Sequence, residues 1–116
     1  MAIFHQQVVR LRPGTRTDRG GNTVPDWSPG AVDRLAVGRL SVQPAVQIER
    51  PGPDRTEVVT GWHVLSAPGT APDVRSGDRV EYDSLTCEVV GEVARWANPV
   101  TGAVHHVEWQ MTRATG

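Results

Sequence analysis

The chain of 116 residues contains no lysine at all, one cysteine, one tyrosine and one phenylalanine. A single cysteine, Cys87, cannot form an internal disulfide, and nothing in its usage points to an oxidising compartment. One tyrosine and one phenylalanine are too few for a platform on which single-stranded bases stack. No apolar run approaches the ~20 residues of a membrane-spanning helix, and Met1 to Gln6 lacks the charged and apolar regions of a secretory leader. The chain is therefore expected to be soluble and made in a cytoplasm. Charge of one sign is also missing: twelve basic residues, all arginine, stand against thirteen acidic ones, for a net charge of −1. That balance argues against a dedicated nucleic-acid binder, which is usually strongly basic. The absence of lysine is what a GC-rich genome produces and says little about mechanism.

Twelve glycines and nine prolines cut the sequence into short valine-rich pieces, with no sustained helical period. This is the pattern of an all-β barrel or sandwich of about six mostly antiparallel strands in a single domain, residues 1–116, with two long loops. Gln6 to Arg12 is a strand with Val9 and Leu11 facing in, ended by Pro13-Gly14. Residues 13–34 form a long connection, irregular over Thr15 to Asp33. Leu35 to Gln43 is the second strand, with Ala36, Gly38, Leu40 and Val42 on one face. Pro44 opens a second loop, 44–57, in which Pro51-Gly52-Pro53 forbids regular pairing. Glu57 to Ala67 is an apolar central strand, and Asp78 to Tyr82 runs into a tight turn at Asp83-Ser84. Leu85, Cys87, Val89 and Val93 share the inward face of the next strand, and Arg95 to Gly102 is a loop. The last strand, His105 to Thr112, turns Val107, Trp109 and Met111 inward.

Little in this pattern suggests chemistry. His105 and His106 are adjacent on a strand, so they point to opposite faces and do not readily chelate one ion. His106 and Glu108 share a face, but no spacing names further ligands. Cys87 alternates with core residues, where a thiol is inert. Asp18 to Asn22 lacks the carboxylates of a calcium loop and reads as a turn. No catalytic residue, metal site or cofactor is expected, and the protein is not expected to be an enzyme. Of four tryptophans, Trp62 and Trp109 fit core strand positions. Trp27 and Trp96 fall in loops, where either core packing or an interface would account for them.

One pattern stands above this background. Ala71-Pro72-Asp73-Val74-Arg75-Ser76-Gly77-Asp78-Arg79-Val80-Glu81-Tyr82, then Leu85 to Trp96 with Val89-Val90-Gly91, then Asn98-Pro99-Val100-Thr101-Gly102, resembles the C-terminal half of head-to-tail stopper proteins of siphophages and prophages, those of actinobacterial hosts above all. Val8-Val9-Arg10-Leu11-Arg12, Thr17 to Asn22, Pro25-Asp26-Trp27, Val42-Gln43-Pro44 and Val58-Val59-Thr60-Gly61 extend the resemblance over nearly the whole chain. Such proteins usually carry Asp-Gly where this chain has Asp83-Ser84, which leaves the turn type open.

The resemblance implies a small β-barrel that forms a ring, hexameric with a dodecamer left open, in the neck of the virion. The ring sits beneath the portal and its head-tail adaptor, closes the DNA channel after packaging and presents the docking surface for a tail terminator or tail tube protein. It further implies transient contact with packaged DNA and no membrane partner. By position, the plug loop would be Ala45, Val46, Gln47, Ile48, Glu49, Arg50, Pro51, Gly52, Pro53, Asp54, Arg55 and Thr56, with Glu49 and Asp54 repelling DNA and Arg50 and Arg55 pairing between subunits. The connection with Asp18, Arg19 and Trp27 is the candidate for gripping a neighbouring subunit or the adaptor, and Trp96 is a further interface candidate. A tail terminator or other neck protein, or a small β-barrel binding module, are the alternatives.

Overall fold

A computed structural model describes residues 3–48 and 57–114. Eight strands are present: β1 (Gln6–Arg12), β2 (Gly14–Thr17), β3 (Thr23–Asp26), β4 (Asp33–Ile48), β5 (Glu57–Ser66), β6 (Arg79–Tyr82), β7 (Leu85–Ala97) and β8 (Val104–Arg113). Six of them close an antiparallel barrel in the order β1-β4-β5-β8-β7-β6, with β6 pairing back onto β1, and β2 and β3 form a separate two-stranded sheet. Among the described residues there is no helix.

The interior is small and valine-rich. Val8, Val37, Leu40, Val42, Val64, Val80, Cys87, Val89, Val107, Trp109 and Met111 are buried from the strands, with Trp62, Tyr82, Leu85 and Val93 packed against them. The β8 face alternates as its sequence dictates, Val107, Trp109 and Met111 inward. The second strand does not follow simple alternation. Gln6 pairs with Leu40 and Val8 with Val37, so two steps on β1 face three on β4. The extra residue is a bulge near Arg39, whose φ of 55° lies in the left-handed region. Inward positions therefore change parity there: Val37 is buried, then Leu40 and Val42, while Ala36 and Gly38 are exposed. On β1, Val8 and Arg10 are buried along with Leu11, and Val9 is only half-buried.

The register gives the barrel two distinct ends. At one lie the start of β1, the β4–β5 hairpin, the β6–β7 turn and the end of β8. At the other lie the end of β1, the β2–β3 hairpin, the 67–78 connection and the β7–β8 hairpin. Val74, from that connection, is fully buried and closes the core at this second end. The hairpins overhang the barrel, and the radius of gyration is 16.7 Å, against about 13 Å for a compact domain of this length.

The β6–β7 connection is a two-residue turn with φ of 49° at Asp83 and 65° at Ser84, the positive pair of a type I′ hairpin. Ser84→Gly is expected to stabilise the fold by about 0.5 kcal/mol, as the left-handed penalty of about 1 kcal/mol exceeds the extra unfolded-chain entropy of glycine. Urea denaturation of the two proteins checks this.

Candidate interaction surfaces

At the first end, β4 continues through Pro44 to Ile48, where a loop was expected. Pro44 pairs with Trp62, Ala45 with Gly61, Val46 with Val59, Gln47 with Val58 and Ile48 with Glu57. Proline is tolerated because this stretch is a sheet edge. β1 reaches only to Leu40, and the N–H of Val42 faces away from β5, donating to Oε1 of Gln6 at 2.7 Å. Pro44 is two residues on, so its missing N–H falls on the same unpaired side. Of the expected plug residues, Ala45, Val46, Gln47 and Ile48 thus belong to an overhanging strand. Glu49, Arg50, Pro51, Gly52, Pro53, Asp54, Arg55 and Thr56 lie outside the described residues. The Arg95 to Gly102 loop is likewise shorter than expected: β7 runs to Ala97, and the turn is held by Asn98, whose Oδ1 accepts from Val100 N at 2.8 Å.

The second end is held by a charge cluster that sequence reading missed. Arg10 points into the wall with its side chain 3% exposed and pairs with Asp33, while its Nη1 donates to the Asp73 carbonyl at 3.0 Å. Arg12 donates to both oxygens of Asp78, at 3.0 and 2.9 Å, and to Asp73 at 3.0 Å. Asp78 is itself buried and also accepts from Arg75 N at 2.8 Å. The two segments that carry much of the resemblance, Val-Val-Arg-Leu-Arg and Pro-Asp-Val-Arg-Ser-Gly-Asp, are therefore the two halves of one clasp. It fastens the connection bearing Val74 onto β1. Nothing local signals it, because the partners are more than sixty residues apart.

Hydrogen bonds from Arg12, and then the charges of Arg12, Arg75 and Arg10, hold the Asp73 carboxyl down at about 2. A carboxylate depressed on folding contributes stability that is complete above its ordinary value near 3.9 and is lost as pH falls toward the folded value. Asp73→Asn is expected to lower stability at neutral pH and to flatten the acid limb between about pH 4 and pH 2, as read from denaturation midpoints across that range.

The remaining interface candidates are distributed around the second end. Asp18 and Arg19 occupy the β2–β3 turn, within a connection that is a hairpin instead of irregular chain. Asp18 Oδ1 accepts from the N–H of Gly20 and of Asn22, both at 2.9 Å, so its carboxylate serves the turn, while Arg19 is exposed. Trp27, just after β3, lies over the Arg79 guanidinium at 4.1 Å on the barrel wall. Trp96 is on strand β7, not in a loop, is 54% exposed and stacks parallel to His106 with centroids 6.2 Å apart. Trp62 and Trp109 pack the core as expected.

The histidine rings do meet: His105 Nδ1 and His106 Nδ1 are 2.9 Å apart, although adjacent strand residues start toward opposite faces. Glu108 is bonded to two imidazoles, His106 Nε2 at 2.7 Å and His63 Nε2 at 3.0 Å. The first of these, with His63 adding, holds its carboxyl below the usual range. His63 comes from β5, a partner that no sequence spacing could name. Among the described residues no group of His, Cys, Asp and Glu is arranged to hold a metal ion, and no helix is long and apolar enough to cross a membrane. Cys87 is fully buried, and burial pushes its thiol up.

No protein-family model matches the chain, and no curated protein matches it. A solved structure of the phage-like element PBSX protein xkdH from Bacillus subtilis aligns with 94% of this chain and 92% of that one, at 13% identity and a TM-score of 0.43.

Proposed function

We propose that the protein is a head-to-tail stopper of a tailed phage or prophage: a structural ring component of the virion neck, without catalytic activity. The observation that carries the reading is the closed six-strand barrel whose β4–β5 hairpin overhangs one end. The motif order of the sequence resemblance supports it independently. A closed barrel has no free edges except where its hairpins overhang, so copies can be set side by side without edge-to-edge aggregation. In this reading the overhanging hairpin carries residues 49–56 toward the ring axis and closes the channel through subunit contacts. The opposite end, with the β2–β3 and β7–β8 hairpins, contacts the neighbouring subunit, the adaptor and the tail terminator or tube. The ring is hexameric, and its only contact with DNA is transient, in the lumen.

A cryo-EM reconstruction of the virion neck at side-chain resolution tests this. The expected result is an axial ring of this chain between adaptor and tail, with residues 45–56 converging on the axis. A ring at the tail's upper end would instead make the protein a tail terminator, and the absence of any ring would leave a β-barrel binding module.

A further inference from the structure

The β2–β3 hairpin is attached to the barrel in an unusual way. Among the described residues its strands pair only with each other, from Gly14 with Asp26 to Thr17 with Thr23, and form no ladder with a barrel strand. Its two carboxylates serve its own backbone: Asp18 organises the turn, and Asp26 Oδ1 accepts from both the N–H and the hydroxyl of Ser28, at 3.0 and 2.6 Å. It leaves the barrel through a narrow stem. A Cβ added to Gly14 would lie 3.0 Å from the Ala31 carbonyl oxygen, so the outgoing and returning chains touch at its base. The hairpin is thus a self-contained unit on a two-chain stalk.

Among the described residues, its grip on the barrel wall includes the contact of the half-buried Trp27 with Arg79. Open clefts of about 300 and 290 Å³ flank the indole, one toward Leu11, Val32 and Arg34, the other toward Asp78, Glu88 and Val89. Arg79 also faces Glu88 at 3.7 Å, so its charge keeps a partner if the indole departs. Both side chains are half-buried, and a cation–π contact contributes about 0.5–1 kcal/mol when exposed and about 2 kcal/mol when desolvated, little for a whole hairpin.

We propose that this hairpin is an exchangeable arm, and that in the assembled ring Trp27 of one copy lies over Arg79 of the next copy. The inference rests on the ring reading above. The occupant of the Arg79 surface follows from the structure itself, since the surface already fits one object, this hairpin, and every copy carries an identical one. Exchange replaces a contact by the same contact, so its cost is confined to the stalk and to bringing copies together. Neighbours already held side by side in a ring have met the second requirement.

Cysteine cross-linking decides between the closed and exchanged arrangements. A chain carrying Trp27→Cys and Arg79→Cys, purified at high concentration and also recovered from virions, is treated with a bifunctional thiol reagent whose spacer spans the two side chains replaced, since an S–S bond reaches only between Cα atoms less than about 7 Å apart. The native Cys87 is fully buried and does not compete. The expected product is a ladder of covalently linked chains, and a mixture of the two single variants gives a linked dimer. Intrachain product alone, in both concentrated protein and virions, overturns the exchange. Because Arg79→Cys also removes the Glu88 pairing, Trp27→Cys with Thr86→Cys, an exposed position on the wall of the first cleft, repeats the measurement with Arg79 intact. A neck ring with only intrachain links refutes the exchange and leaves the stopper reading standing. A ladder from a chain that is absent from the neck refutes the stopper reading and leaves the exchange.

Discussion

Arg12→Ala is expected to destabilise the barrel by about 3 kcal/mol, lowering the melting temperature by on the order of 10 °C. Among the described residues, Arg12 is the only side chain that pairs with the carboxylate of Asp78, whose side chain is 4% exposed. Removing the guanidinium strands that carboxylate in the wall, retaining its burial without its counter-charge. The same change unfastens Asp73, and with it the connection that places Val74 in the core. The loss should therefore exceed anything an exposed ion pair yields: Arg34→Ala, which breaks the Arg34–Glu81 pair at 2.8 Å on the surface, is expected to leave the denaturation midpoint nearly unchanged, because solvent screens an exposed pair. Joint replacement by Arg12→Met and Asp78→Leu should recover part of the loss, because no charge is left unpaired. Recovery stays incomplete, as Arg75 N–H loses its acceptor. Denaturant unfolding of the four proteins, followed by circular dichroism, is the check. If Arg12→Ala proved as mild as Arg34→Ala, the clasp would be a surface decoration.

The second large effect belongs to Trp109, which is 1% exposed and is the largest fully buried side chain. Trp109→Ala is expected to cost about 3–5 kcal/mol through lost burial and the cavity left behind, a large part of the roughly 5–15 kcal/mol that stabilises a domain. The indole N–H has no hydrogen-bond partner among the described residues. Trp109→Phe consequently orphans no acceptor and is expected to cost only about 1 kcal/mol, the cavity term. A phenylalanine variant as unstable as the alanine one would show that the N–H is bonded, for instance through water.

Much of the barrel was legible along the chain. The period-two pattern of Val107, Trp109 and Met111 and of Leu85, Cys87 and Val89 fixed inward faces correctly, Pro13 marked the real end of β1, and Asp83-Ser84 marked a real turn. The misreadings have a common origin. Pro44 reads as a strand stop, yet it sits on an edge whose N–H side has no partner strand among the described residues. The parity of β4 was inverted by a bulge at Arg39, which is not a residue type that announces positive φ. The β2–β3 hairpin was hidden because none of its alternating positions is buried. Alternation is visible only where one face meets a core.

The candidate surfaces divide the same way. That Asp18 begins a turn follows from local composition, whereas Trp27 and Trp96 fit either core or interface by sequence, and only the structure puts both outside the core. That Trp27 meets Arg79, that Glu108 is shared by His63 and His106, and that Arg10 and Arg12 hold Asp33, Asp73 and Asp78 depend on which strands become neighbours.

By itself, then, the sequence determined what short-range sterics and alternation can encode: an all-β chain, most of its strands, its tightest turns and the inward face of its last hairpin. Strand order, closure of β6 onto β1, the overhang of β4 and the charge clasp were decided only by the tertiary structure. They arise when segments far apart in the chain compete for the same hydrogen bonds and buried volume, and no local pattern records the outcome of that competition.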